Sequence, residues 1–335
     1  MLNTFLKHVV RGLIVTPVVM AVVAGGILAF TAPKSPPATT AVEKSNATMI
    51  AYEHQLPPYK FFTARDGNRM GYHLYPGRPG GGVVVAIHGS SGSSLAVHGI
   101  AESLAARGMT VYALDLRGHG LSLGPNGKLG DVVYRGQYED DIDDLVQVIK
   151  REHPGEKRLL LGHSTGGSVI LRTAASRYAG NFDGYLALSP FIAAGTAMDR
   201  PNEGGWTVVS IPRIVVLSIL NRFGISAFDH LRVLAMAVPE KDAGFRPRFY
   251  THALLASANL PRDWKPSIAA IHAPTQVLIG SDDELFHAEA YPAALRDANP
   301  AIKVTLIPGV GHMAMVYDPR ALQIETDTAQ AMLAK

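Results

Sequence analysis

One serine in this sequence lies in a pattern that could present it as a nucleophile. Ser164 is the centre of Gly162-His163-Ser164-Thr165-Gly166, which follows the apolar run RLLL and precedes a predicted helix. A sharp turn from a strand into a helix needs glycines because side chains would clash there, and the turn lifts the serine hydroxyl clear of the sheet. Glycine and serine are also ordinary turn residues. The context nevertheless favours a nucleophile over a plain turn.

A serine nucleophile needs a general base, and the base needs a carboxylate that orients it. For a serine at such a turn, the expected chain order is serine, then acid, then histidine. One later apolar run ends at Asp282 and Asp283, and the last one ends at His312. His312 is the predicted base. Asp283 is the predicted acid because it stands three residues after Gly280, the usual spacing, and Asp282 stays the alternative.

Acyl transfer also needs hydrogen-bond donors for the negative charge that develops on the substrate oxygen. The amide of Thr165, at the start of the helix after the nucleophile, is one predicted donor. The amide of Ser90, in HGSSGSS after a buried apolar run, is the second. We interpret His88 in the same loop as structural.

Other polar residues near these motifs are also interpreted as structural. Asp115 and His119 lie in DLRGHGLS, a loop that shapes the site. His287 is too close to Asp283 in sequence to face it and is a predicted surface residue. Five acids lie close together further on: Glu139, Asp140, Asp141, Asp143 and Asp144. They lack the spacing of metal ligands, so we interpret them as a solvated helix N-terminus and expect no metal site and no cofactor.

Apolar runs that alternate with helix-length segments must position these residues. From Tyr59 onward, runs such as GVVVAIHG and MTVYALDLRG read as buried strands, and KFFTARDGNRMGYHLY reads as a hairpin that turns at residues 66–68. Strands that alternate with helices predict a mostly parallel sheet with helices on both faces. The body is therefore expected over residues 59–335, with an α/β fold.

The alternation of predicted strands and helices is interrupted at about residues 191–268. The middle of this segment, WTVVSIPRIVVLSILNRFGI, is strongly apolar but carries Arg213 and Arg222. We expect a helical insert that forms a cap over the carboxyl edge of the sheet, where open α/β sheets bind ligands. The segment contains nine Lys/Arg and six Asp/Glu, so the net charge of +3 of the whole chain lies within it.

Residues 1–32 differ from the body. Lys7 and Arg11 precede a stretch without charge, residues 12–32, and about 20 apolar residues are enough to cross a bilayer as a helix. We expect a membrane anchor, with the catalytic domain outside the cytoplasm, in the periplasm or the extracellular space. A cleaved signal peptide, which would give a secreted protein, and a buried helix are the alternatives. Residues 33–58 are rich in Pro, Ala and Thr and predict a linker.

Composition excludes several classes of function. Among the 335 residues, 47% are hydrophobic and 18% are charged, as in a globular protein. No run of five basic residues occurs, so a nucleic-acid partner is not expected. The absence of cysteine excludes disulfides, thiolate catalysis and cysteine metal sites.

Six segments, taken in order, resemble the α/β-hydrolase superfamily: IHGSSGSS, ALDLRGHGLS, GHSTGG, LSP, GSDDELF and PGVGH. The resemblance spans residues 61–333 and is strongest to the branch of monoacylglycerol lipases, lysophospholipases and serine aminopeptidase-like hydrolases. Ser164 argues against the haloalkane dehalogenases and epoxide hydrolases, which carry aspartate at that position. Thr165 departs from this branch, whose lipases often have methionine there.

This resemblance implies the α/β-hydrolase fold and a serine hydrolase with a triad of Ser164, Asp283 and His312. It implies cleavage of carboxylic esters through an acyl-enzyme, with lipid-like substrates such as monoacylglycerol or lysophospholipid. The sequence leaves two alternatives: an aminopeptidase-like or amide hydrolase, and a non-catalytic binding protein. An acid in the insert placed to bind a substrate amine, Glu203 or Asp229, would favour the amide hydrolase.

Overall fold

A central sheet of eight strands organises the protein. The computed structural model describes residues 2–37, 55–200, 205–242 and 244–334. The strands run in the spatial order β1-β2-β4-β3-β5-β6-β10-β11. Their bounds are β1 Tyr59–Thr63, β2 Arg69–Tyr75, β3 Val83–Ile87, β4 Thr110–Leu114, β5 Arg158–His163, β6 Gly184–Leu188, β10 Thr275–Gly280 and β11 Lys303–Ile307.

Nine α-helices belong to the described residues. Their bounds are α1 Leu2–Phe30, α2 His98–Ala106, α3 Gln137–Glu152, α4 Thr165–Ala174, α5 Ile211–Arg222, α6 His252–Ala258, α7 Lys265–Ala269, α8 Tyr291–Ala298 and α9 Pro319–Ala334.

In this spatial order the strands from β4 to β11 are parallel, and β2 runs antiparallel to both of its neighbours, β1 and β4. Strand β3 is apolar at every position because both of its faces are buried. Successive side chains point to opposite faces of a strand, and here Val83 and Val85 join one buried cluster while Val84 and Ala86 join another. Helices cover both faces, as the alternation of strands and helices predicts. The expected α/β-hydrolase architecture is therefore confirmed.

The first hairpin also forms as predicted. Strands β1 and β2 pair antiparallel, with Thr63 opposite Arg69. Gly67 has φ +83° in the turn, a left-handed conformation that glycine adopts without steric penalty. The amide of Gly67 donates to the carbonyl of Ala64 at 2.8 Å, which closes the turn.

The insert contains more than the helix expected from its sequence. Three short strands, β7 Thr207–Val209, β8 Arg232–Met236 and β9 Phe249–Thr251, form a separate antiparallel sheet beside α5. An apolar run alone does not distinguish a buried helix from a buried strand, so the helical description was incomplete. Helices α6 and α7 pack on the body, against α4 and α8. We use the name cap for residues 205–251.

The N-terminal segment forms α1, whose C-terminal part lies against α5 of the cap. The guanidinium of Arg213 donates to the carbonyl of Leu28. Within the part of the chain that the structure describes, no helix is both long and apolar enough to cross a membrane. The anchor expected from residues 12–32 is therefore not supported. Most of the predicted linker, residues 38–54, lies outside the described residues.

Candidate active site

Ser164 occupies a strained turn between β5 and α4. Its backbone has φ +55° and ψ −119°, which is unfavourable for any residue with a side chain. Three hydrogen bonds hold this conformation. The Ser164 amide donates to the carbonyl of Leu188 at 2.8 Å, and its carbonyl accepts from the amides of Ser168 and Phe191 at 3.2 and 3.3 Å. The surrounding strand and helix thus impose the turn that the G-x-S-x-G pattern predicts.

The glycines around Ser164 are required by close packing. A Cβ atom on Gly162 would lie 2.7 Å from Cδ1 of Ile170, and one on Gly166 would lie 2.5 Å from the carbonyl oxygen of His88. A Cβ on Gly89 would lie 3.1 Å from the Cβ of Ser164. The loop that contains Ser90 therefore passes directly beside the predicted nucleophile.

A buried acid–base pair forms at the ends of two neighbouring strands. Asp283 follows β10 and His312 follows β11, and Nδ1 of His312 donates to Oδ2 of Asp283 at 2.9 Å. Asp283 is 2% exposed and His312 is 1% exposed. The alternative acid, Asp282, is exposed and accepts from the Ser281 hydroxyl. His287 lies outside the pair, on the protein surface beside a glutamate. The structure therefore joins His312 to Asp283, as the spacing after Gly280 predicts.

Asp283 is held in its charged form. Burial acts to raise its pKa, but the charge and hydrogen bond of His312 outweigh burial and leave the pKa below its ordinary value. The amides of Leu285 and Phe286 assist by donating to Oδ1 at 3.0 and 2.9 Å. Oδ1 is thus occupied by backbone donors, and Oδ2 faces the histidine.

His163, inside the G-x-S-x-G pattern, contacts His312, the predicted base, in a way that the sequence did not indicate. Its Nε2 donates to the carbonyl of His312 at 3.0 Å, and the two rings lie 4.7 Å apart. Burial lowers the pKa of His163 to about 3, and the charge of His312 contributes. His163 is therefore neutral near pH 7 and does not oppose a positive charge on His312.

The two predicted oxyanion donors are brought together. Thr165 is the first residue of α4, where the amide has no partner within the helix. Ser90 lies across from it, and the side-chain hydroxyls of Ser90 and Thr165 share a hydrogen bond. This contact brings the loop of Ser90 against Thr165, the residue that follows Ser164.

The cap holds the loop of Ser90 through the next residue. Ser91 has φ +54°, its amide donates to the Tyr250 hydroxyl at 2.7 Å, and its own hydroxyl donates to the carbonyl of Pro247 at 2.7 Å. Nε of Arg246 donates to the carbonyl of Ser91 at 2.9 Å. Tyr250 also bonds to the ring of His119 at 2.7 Å, which supports the structural interpretation of that histidine. No pattern in the sequence indicates these contacts.

His88 and Asp115 shape the backbone around the site. Nδ1 of His88 donates to the carbonyl of the next residue, and Nε2 accepts from the amide of Leu116 at 3.1 Å. The Asp115 carboxylate accepts from the amides of Ser94 and Leu121 at 2.7 and 2.8 Å. Asp115 also accepts from the Tyr59 hydroxyl at 3.0 Å. The other partners are backbone groups, in agreement with the structural interpretation of both residues.

The five acids of α3 do not form a solvated helix end, and that prediction is wrong. Each is paired with an arginine: Glu139 with Arg172 (2.7 Å), Asp140 with Arg177 (2.9 Å), Asp141 with Arg117 (2.6 Å), and Asp143 and Asp144 with Arg65 (2.6 and 2.9 Å). Glu139, Asp140 and Asp141 are buried. The arginines come from distant parts of the chain, so local spacing could not reveal them. Among the described residues, no group of acids and histidines is arranged to hold a metal ion.

The acids considered for binding a substrate amine do not form such a site in the described structure. One oxygen of Asp229 accepts from Nδ1 of His252 at 3.0 Å and from the side-chain amide of Asn221 at 2.9 Å. Glu203 lies outside the described residues. Asp229 is therefore a structural acid of the cap.

The chain is similar to known hydrolases over most of its length. The family model described as "Serine aminopeptidase, S33" matches residues 79–320. The monoacylglycerol lipase of Mycolicibacterium smegmatis is 27% identical over 260 residues, which cover 75% of this chain and 88% of that protein.

Two solved structures share the fold. A soluble variant of monoglyceride lipase from Saccharomyces cerevisiae gives a TM-score of 0.60 at 18% identity, covering 83% of this chain and 95% of that one. A putative aryl esterase from Burkholderia cenocepacia gives 0.57 at 21% identity, covering 83% and 100%. At these identities the likeness concerns the fold.

Proposed function

The chain belongs to the serine aminopeptidase, S33, family and is a serine hydrolase that acts on esters, and from this premise we propose that it cleaves lipid-like acyl esters such as monoacylglycerol or lysophospholipid. The observation that carries the proposal is the buried bond of 2.9 Å between His312 and Asp283 at the same sheet edge as Ser164. In this proposal the three side chains act as a triad.

The proposed reaction proceeds through an acyl-enzyme. The Ser164 hydroxyl attacks the acyl carbon while Nε2 of His312 takes its proton, and Asp283 stabilises the imidazolium that forms. The amides of Ser90 and Thr165 donate to the oxyanion of the tetrahedral intermediate. Its collapse breaks the ester bond, and His312 returns the proton to the leaving alcohol. Water then repeats the sequence on the acyl-enzyme and restores Ser164.

An exposed apolar face of α5 supports a lipid-like substrate. Ile211, Val215, Ile219 and Phe223 follow one another at four-residue spacing, so they lie on one side of the helix. All four are exposed, and Phe223 is 77% exposed. A contiguous apolar surface of this kind is expected to contact an apolar ligand or lipid. The cap would then bring acyl chains toward the active site.

Amide hydrolysis is the second candidate, and the description of the matching family favours it. Amide cleavage would use the same nucleophile and base. An aminopeptidase would also need a group to bind the free amine, and Asp229 already contacts His252 and Asn221.

One assay separates these candidates. Short-chain and long-chain p-nitrophenyl esters and amino-acid p-nitroanilides are offered to the wild type, to Ser164→Ala and to Ser226→Ala, an exposed serine of the cap. We expect hydrolysis of esters with a preference for long chains, lost only in Ser164→Ala. Preference for nitroanilides would support the amide hydrolase. Unchanged ester hydrolysis by Ser164→Ala would refute the mechanism, and no hydrolysis by the wild type would support a binding protein.

We also propose that the catalytic domain lies outside the cytoplasm. The support is the sequence alone, with Lys7 and Arg11 before an uncharged stretch. Protease added to intact cells that express the full chain should digest the body if the body is exposed at the cell surface. If the body is periplasmic, protease should digest it only after the periplasmic contents have been released. Resistance in both preparations would contradict the proposal. The N-terminal sequence of the mature protein would show whether residues 1–32 are removed.

A further inference from the structure

Glu284, the residue after the predicted acid, also contacts the predicted base. Its Oε2 accepts from the backbone amide of His312 at 2.7 Å. The neighbouring Asp283 accepts from Nδ1 of the same histidine at 2.9 Å. Two successive carboxylates therefore hold His312, one through its ring and the other through its backbone. The proposed reaction assigns no role to Glu284.

The amide that Glu284 binds needs an acceptor from another part of the chain. His312 directly precedes the short 3₁₀-helix Met313–Val316, and amides at the N-terminus of a helix have no acceptor within that helix. His312 is buried, and a buried amide without an acceptor is costly. A carboxylate forms a shorter and stronger bond with such an amide than a neutral acceptor does. The contact with Glu284 thus stabilises the backbone at the predicted base.

Close packing between the segments that follow β10 and β11 makes this contact possible. A Cβ atom on Gly311 would lie 2.8 Å from Oε2 of Glu284, so any side chain at this position would displace the carboxylate. The amide of Asp282 donates to the carbonyl of Val310 at 3.0 Å, one residue before this glycine. The two segments are therefore joined by a backbone bond next to the bonds that Asp283 and Glu284 make.

We propose that Glu284 positions His312 for its role as the general base. Asp283 orients the imidazole ring, and Glu284 fixes the backbone from which the ring extends. Proton transfer requires Nε2 within hydrogen-bond reach of the Ser164 hydroxyl, and small displacements of such groups lower turnover strongly. The proposal rests on the proposed triad, since Glu284 has a base to position only if His312 acts as one.

The competing role for Glu284 is binding of a cationic group on the substrate. Glu284 is exposed, and a carboxylate beside the acid–base pair could attract a substrate amine. Such a contact acts on the bound substrate and changes KM, whereas a group that positions the base changes kcat. The bond to the His312 amide favours positioning, because protein groups alone make it.

Steady-state hydrolysis of p-nitrophenyl acetate by the full chain tests the proposal, with acetylthiocholine as a cationic ester. Glu284→Met keeps the length of the side chain but removes the acceptor, and Glu284→Gln restores a neutral acceptor. Glu289→Met is the matched control, because Glu289 is also exposed and its carboxylate lies beside His287. We expect Glu284→Met to lower kcat for p-nitrophenyl acetate by about tenfold or more, with KM within about threefold. Glu284→Gln should return to within about threefold of the wild-type kcat, and Glu289→Met should match the wild type.

Three kinetic outcomes would overturn the proposal. The first is equal kcat in Glu284→Met and Glu289→Met, and the second is a loss in Glu284→Gln as large as in Glu284→Met. The third is a raised KM for acetylthiocholine with unchanged kcat, which would assign Glu284 to substrate binding. Should Glu284→Met fail to fold by circular dichroism, Gly311→Ala replaces it, because its methyl group would displace the same carboxylate. The same loss of kcat is expected there, and an unchanged kcat would likewise overturn the proposal.

A measurement without turnover separates this proposal from the proposed function. Proton NMR of the full chain should show a low-field resonance from the Nδ1 proton that His312 donates to Asp283, identified by its absence in His312→Ala. Glu284→Met should broaden this resonance through faster exchange with solvent, and Glu284→Gln should preserve it. An unchanged resonance in Glu284→Met would overturn the proposal even if Ser164→Ala abolishes ester hydrolysis. Wild-type hydrolysis by Ser164→Ala would instead refute the triad, and with it the role of Glu284 in proton transfer, whatever the resonance shows.

Discussion

Replacing Asp283 with asparagine tests the predicted triad with almost no change of shape. In the wild type, Oδ1 of Asp283 accepts from the amides of Leu285 and Phe286, and Oδ2 accepts from Nδ1 of His312. The amide oxygen of asparagine can replace only one of these oxygens. Because two backbone donors converge on Oδ1, the oxygen should take that position, and the NH2 group should face His312. Nδ1 must then accept, which places the proton on Nε2, where the base needs a lone pair.

The expected loss follows from this change of tautomer and from the loss of the negative charge. The equivalent change in a serine protease triad lowers kcat by about 10⁴-fold, which corresponds to about 5.5 kcal/mol of transition-state stabilisation. Asp282→Asn is the matched control, because that neighbour is exposed and its carboxylate accepts from the Ser281 hydroxyl and not from His312. It should retain activity within about threefold, as surface substitutions usually do.

The assay is the hydrolysis of p-nitrophenyl acetate, with kcat and KM measured separately and folding checked by circular dichroism. KM should change little, since the substitution is behind the base and does not touch the acyl group. Comparable losses in Asp283→Asn and Asp282→Asn would leave the acid unassigned. A folded Asp283→Asn enzyme with more than about a tenth of the wild-type kcat would refute the assignment of roles.

Three further predictions concern the body and the cap. Burial raises the pKa of Glu325 well above its ordinary value, so the folded protein loses stability as pH rises past the pKa that this carboxyl has in the unfolded chain. Urea unfolding should therefore show that Glu325→Gln is more stable than the wild type at about pH 8 but not at about pH 4, and a pH-independent difference would contradict this. Val215→Asp and Ile219→Asp should lower activity on long-chain esters far more than on acetate esters, because both side chains face solvent on α5; equal losses on the two ester classes would remove the support for lipid contact. Arg117→Ala should destabilise the fold by about 3–5 kcal/mol in urea unfolding, because it leaves the buried Asp141 carboxylate unpaired; a change below about 1 kcal/mol would contradict the assigned pair.

The parts of the site that the sequence predicted are those fixed by local geometry. Gly162 and Gly166 mark a turn that leaves no room for a Cβ, so their spacing around Ser164 carries structural information by itself. Asp283 and His312 directly follow apolar strands, and parallel strands that are neighbours in a sheet end at the same edge. Strand periodicity and glycine positions were therefore sufficient to predict that these residues follow strands of one sheet.

The parts that it did not predict depend on contacts between distant segments. The acids of α3 look solvated in sequence because their partners, such as Arg65 and Arg172, are far away in the chain. The strands of the cap were taken for a helix because apolar runs such as WTVV have no period that separates the two. His163 occupies a variable position of the G-x-S-x-G pattern, so only the structure reveals its bond to the carbonyl of His312.

The cap also supports the loop of Ser90, the proposed oxyanion donor. Ser91 is held in a left-handed conformation that a serine does not favour on its own, and Pro247 and Tyr250, both from the insert, provide the hydrogen bonds that hold it. Any change that shifts this part of the cap must therefore move the neighbouring amide of Ser90. Because oxyanion donors act on the transition state rather than on the bound ester, such a shift would change kcat in addition to KM. In the proposed mechanism, substrate contacts on the cap would for this reason be coupled to the chemistry at Ser164 through the loop of Ser90 and Ser91.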